Sequence, residues 1–177
     1  NQDLLESLKG KSLEEQTLVE KQIIEVYQNV ILFDEIAHSM YCFLPLVDIE
    51  DVTLQEYFGT RKNEKVSYSF FMRNIDKFKI LLQDLLDTKE ENWNKSHFEL
   101  SNIALQLQSL TQYHYSQALK IIPTFEYGNS EQWLSPWELM DGRHLNEEQK
   151  SILVSYEKLI LNLVNQENEK VNLFATE

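Results

Sequence analysis

The feature that most constrains this chain is the stretch 12–44, where apolar side chains recur at Val19, Ile23, Val26, Val30, Phe33, Ala37, Met40 and Leu44. The intervals alternate four and three without a slip. That is the 3.5-residue seam of a helix built to lie along other helices. Ser12 and Glu15 stand at capping-box spacing at its start. Pro45 ends it, because proline gives the helix ladder no donor and its ring crowds the preceding turn. One helix over this stretch would span about 48 Å and would need partners along its length.

The rest of the chain supplies three more helical stretches. The second is expected over about 67–89, with Tyr68, Phe71, Ile75, Phe78, Leu82 and Leu85 again alternating three and four. Ser96 and Glu99 form another capping-box pair ahead of a third helix, which carries Leu100, Ile103, Leu107, Leu110, His114 and Ile121 inward until Pro123 stops it. Asn146 caps a fourth, from 147 to about 172, with Ile152, Tyr156, Leu159, Ile160 and Leu163 inward. Two short helices fall inside the long links. One, about 54–58, follows Thr53 and Glu56 and stops at Gly59; the other opens on Ser135-Pro136-Trp137-Glu138 and ends at Gly142.

Only 4 glycines and 3 prolines occur in 177 residues, which leaves little material for hairpins or glycine-rich phosphate loops. The expected fold is therefore all-α: a single domain, 1–177, built as an antiparallel up-down-up-down four-helix bundle. In that topology the long links 45–66 and 123–146 share the end distal to the termini, where the two short helices act as caps.

Charge and cysteine usage exclude several functions. With 16 Lys and Arg against 29 Asp and Glu, the net charge of −13 opposes binding to nucleic acid and to anionic lipid surfaces. A single cysteine, Cys42, rules out an internal disulfide and a thiolate zinc site. No run of eighteen apolar residues exists, so no membrane insertion is expected within this chain. A first residue of Asn1 rather than Met fits either a mature chain after signal removal or a piece of a larger protein.

Three constellations could carry chemistry. Glu35 and His38 have the Glu-x-x-His spacing of di-iron bundles, but the pair occurs once and the seam turns Glu35 away from the core. The expectation is a solvated acid beside a boundary histidine, with no metal and no cofactor. His114 falls on the third seam, with Gln117 nearby and Tyr113 and Tyr115 beside it. That suits either a small polar ligand or an internally satisfied histidine. No nucleophile motif is present, so the chain is read as a non-enzyme.

The third constellation is the link 123–146, which holds Trp133 and Trp137 among interleaved acids. The two tryptophans lie four apart, but Pro136 keeps the residue before it out of helical angles. They are expected to project differently, one sealing the bundle and the other facing outward. The outward one, with Glu131, Glu138 or Arg143 and with His114 as a further polar candidate, would line a recognition surface. The alternative is a lid that only plugs the bundle.

Two functions follow. The first is an extracytoplasmic (periplasmic or extracellular) ligand-sensing domain of a membrane receptor. The alternative is a soluble, cytoplasmic or secreted protein-interaction module that uses an acidic face or the aromatic cap. The partner is accordingly a small-molecule ligand or a protein, with a homodimer admitted.

Overall fold

The computed structural model of the chain describes residues 10–12, 14–113, 118–123, 133–141 and 145–164. The described fold is all-α, apart from two small two-stranded ribbons. Its helices are α1 (Leu18–Met40), α2 (Val52–Phe58), α3 (Tyr68–Arg73), α4 (Ile75–Asp87), α5 (Lys95–Leu110), α6 (Pro136–Met140) and α7 (Glu147–Val164). The ribbons pair β1 (Val47–Asp48) with β2 (Lys65–Val66), and β3 (Ile122–Pro123) with β4 (Trp133–Leu134), both antiparallel.

Helix starts follow cap chemistry. α1 begins behind Thr17, not Ser12. The Thr17 hydroxyl accepts from the Glu20 N–H at 3.3 Å, and the Glu20 carboxylate accepts from the Thr17 N–H at 2.8 Å. Ser135 and Glu138 make the same reciprocal box for α6, with Pro136 at its first position. Asn146 and Gln149 do so for α7. Gly59 closes α2 at φ +74°, a left-handed conformation that a side chain would strain.

The expected second helix is two helices, α3 and α4, divided at Asn74. Its side-chain amide donates to the Phe70 carbonyl at 2.9 Å and so competes with the helix ladder. The expected third helix leaves the α conformation at Leu110 for a 3₁₀ turn, Thr111–Tyr113. The hydroxyls of Ser109 and Thr111 there bond back to the carbonyls of Gln106 and Gln108, both at 2.7 Å.

Burial divides into two apolar clusters. One joins Phe71, Phe78 and Leu85 of α3–α4 to Leu100, Ile103 and Leu107 of α5, and covers them with Val47, Ile49, Leu54, Phe58 and Val66 from the first link. The other gathers Cys42 and Phe43, which follow α1, with Ile122, with Leu134, Trp137, Leu139 and Met140 of the second link, and with Leu153 and Ile160 of α7. Tyr68, Met72 and Leu110 touch both.

The links therefore build the core and do not merely cap it. The first link also runs along the side of the α4–α5 hairpin. Tyr57 donates to the Lys77 carbonyl near the start of α4, while Ser96 at the start of α5 donates to Asp51 at 2.8 Å. Glu99, expected to complete a cap with Ser96, instead accepts from the Glu50 N–H at 2.9 Å. The helix starts at Asn94, whose cap partner is His97.

The expectation that the α1 seam lies in the core is corrected. Val19, Val26, Val30 and Phe33 are exposed, Phe33 to 73%. The physical reason lies in the second cluster. The turn Tyr41–Phe43, α3, α6 and α7 close it around the C-terminal end of α1, which leaves the preceding turns outside.

Candidate functional site

α1 carries more apolar surface than the described fold covers. Leu18, Val19, Ile23, Val26, Val30, Ile31, Leu32, Phe33 and Ile36 are all exposed large hydrophobics along one helix. These residues lie on and beyond one seam, more than the single apolar stripe of a surface helix. No described helix is long and apolar enough to cross a membrane.

The body grips α1 at its C-terminal end. The indole N–H of Trp137 donates to the His38 carbonyl at 3.0 Å, where it joins the Tyr41 N–H and ties the second link to the helix end. Trp137 is 2% exposed, and its ring lies 5.0 Å from that of Tyr68. The His38 ring meets Tyr41 edge-on at 5.0 Å and places Nδ1 3.3 Å from Asp34. Ser39, Cys42 and Phe43 are buried directly beyond.

The second link places the remaining candidates. Adjacent strand residues point to opposite faces, so buried Leu134 leaves Trp133 outward at 49% exposure, opposite Pro123. Glu138 is occupied by its cap and by Lys120, whose Nζ stands 3.4 Å away. Burial raises the Glu138 pKa, but hydrogen bonds from the Ser135 N–H and hydroxyl and the charge of Lys120 outweigh it and hold the carboxyl below its ordinary range. Glu131, Arg143 and His114 lie outside the described residues. Among the six candidates, the structure thus places an outward indole, a buried indole that anchors α1, and a carboxylate engaged in capping.

Three internal polar sites bear on chemistry. Arg73 pairs with Glu157, which also accepts from Ser67, and this ties α3 to α7. Burial pushes the Cys42 thiol up, and the Glu157 charge adds to the effect, so the sulfur stays protonated and inert. Asp51 resembles Glu138. Burial raises its pKa, but the Ser96 hydroxyl, the Leu54 N–H and Lys95 hold the net value below the ordinary carboxylate range. The Arg73–Glu157 pair and Asp51 are engaged in holding elements together.

The exposed apolar surface that sequence reasoning missed is the α1 seam itself. A signal was present: Ile31, Leu32 and Ile36 add apolar residues off the seam, more than a single buried stripe requires. No protein-family model, curated protein or solved structure matches this chain.

Proposed function

We propose that this chain is a non-enzymatic, helical protein-interaction module whose contact surface is the exposed apolar face of α1. The observation that carries this reading is the run from Leu18 to Ile36, with nine large hydrophobic residues left in solvent on one helix. Exposed apolar surface on this scale marks an interaction site. The rest of the molecule supports the role: a body of two joined apolar clusters holds the C-terminal end of the helix and presents the remainder. In this proposal 1–177 acts as one domain, and the four-helix plan is completed when α1 is covered, beside α4, α5 and α7.

The test uses the double variant Val26→Asp/Val30→Asp, which places two charges on the exposed face. The variant is expected to keep the thermal midpoint of the parent in dilute solution and to lose a stoichiometric partner that copurifies with the parent from its native source. A variant that retains the partner removes α1 from the interface.

A second reading, ligand sensing in an extracytoplasmic receptor, is favoured by one observation. Trp137 connects the aromatic second link, where Trp133 faces outward, to the end of α1. A small molecule bound at that link would act on α1 through this hydrogen bond. Under that reading, a ligand that quenches Trp133 fluorescence also changes amide exchange in the last turn of α1.

A further inference from the structure

The α1 face has a seam that matches itself. In heptad terms Ile23 and Val30 occupy a positions, and Val19, Val26 and Phe33 occupy d positions. None is charged. Uncharged apolar residues at successive a and d positions are what a coiled-coil seam requires. From the pattern of exposure and charge we infer that α1 pairs with α1 of a second copy of this chain, in parallel, through Val19, Ile23, Val26, Val30 and Phe33. The inference rests on the interaction reading and names its partner.

Charge selects the orientation. The flanking g positions are Gln22, Asn29 and Ile36, and the e positions are Glu20, Tyr27 and Asp34. A parallel pair sets Gln22 across from Tyr27 and Asn29 across from Asp34, with no like charges opposed. An antiparallel pair brings Glu20 of one copy beside Asp34 of the other at both ends, which costs stability.

Area sets the strength. Fully burying a Val, Ile or Phe side chain removes on the order of 100 Å² of apolar surface. The five seam residues of both copies, already partly covered, together with their polar flanks make an interface on the order of 1,000 Å². That size suits a dimer whose population depends on concentration.

Sedimentation velocity on the full chain, from about 1 to 200 μM, is expected to show the mass rising toward two chains. Val26→Asp/Val30→Asp is expected to hold it at one chain while the near-ultraviolet signal of buried Trp137 persists. A control, Leu105→Asp on the exposed face of α5, is expected to dimerise like the parent. Val19→Cys gives a second, independent measurement. Parallel pairing opposes the two new thiols, and mild oxidation should link most of the protein at residue 19, whereas buried Cys42 in the parent should form no such link.

A mass of one chain at every concentration overturns the inference. So does a dimer that survives the double substitution, or a Val19→Cys dimer that forms no cross-link. A parent that stays monomeric yet loses a heterologous partner on Val26→Asp/Val30→Asp fails this inference and keeps the interaction reading. If the double substitution moves neither mass nor partner, both fail.

Discussion

α1 and α4 carry the same alternation of three and four, yet they end in opposite surroundings. On α4, Phe78 and Leu85 are buried, whereas Val19, Val26, Val30 and Phe33 of α1 face solvent. The difference lies in what the chain does next. α4 is followed within a few residues by α5, so the two close as a hairpin at small entropic cost, and the first link lays Ile49, Leu54 and Phe58 over the same cluster. α1 runs into the turn Tyr41–Phe43 and a link that serves the α4–α5 hairpin. Heptad spacing defines a face; it does not say whether the cover comes from the same chain or from another.

The largest test of this contrast compares two phenylalanines in dilute, monomeric protein. Phe71 is fully buried, with the rings of Phe58, Phe70 and Phe78 within 5.6 Å of its own. Phe71→Ala is expected to cost about 3–5 kcal/mol by lost burial and the cavity left behind. Phe33→Ala, on the exposed seam, should fall within about 0.5 kcal/mol of the parent. Urea denaturation measures both, and comparable losses would show that α1 is covered within one copy.

A smaller effect is expected where α1 joins the body. Trp137→Phe keeps most of the ring but removes the donor to the His38 carbonyl. The expected cost is about 0.5–1.5 kcal/mol, the net worth of one hydrogen bond, because the His38 carbonyl keeps the Tyr41 N–H. Amide exchange in the last turn of α1 should quicken with it. Trp133→Phe, on the outward side of β4, should leave both stability and exchange near the parent. Equal effects at the two positions would mean that Trp137 is not the tether.

Much of the local structure was legible. The seam Phe71–Phe78–Leu85, the Ser135-Pro136 helix start, the Asn146 cap and the Gly59 stop could be read from residue type and spacing. Caps are local chemistry, settled within four residues. What could not be read was the long-range use of the same groups. Ser96 and Glu99 have capping-box spacing, yet they bond Asp51 and the Glu50 backbone across the fold. Likewise, Leu153 is fully buried while Leu163 of the expected inner face is exposed, because α7 meets neighbours that its own sequence does not specify. At the candidate site, sequence reasoning separated the two indoles through Pro136, but it assigned the α1 seam to the core, since an exposed and a buried stripe have the same periodicity.

The smallest effect separates the free end of α1 from its anchored end. Glu20 closes the first turn, where hydrogen bonds from Lys11, from the Thr17 N–H and from the Thr17 hydroxyl lower its pKa from 4.5 to about 2. The folded value lies below the unfolded one. The contribution of this carboxylate is therefore present above about pH 4.5 and is lost as pH falls toward 2. The group is at the surface, so the loss is local: the first turn frays while the body persists. Protection of the Lys21 amide, which donates to the Thr17 carbonyl at 3.0 Å, should fall over this window. Amides of the last turn, near the Trp137 tether, should keep theirs. Glu20→Gln keeps an acceptor oxygen without the titration, so its first-turn protection should start lower and stay flat with pH. A parent that shows the same flat profile would mean that the turn is held by something other than Glu20, and that the helix is covered at its N-terminal end as well.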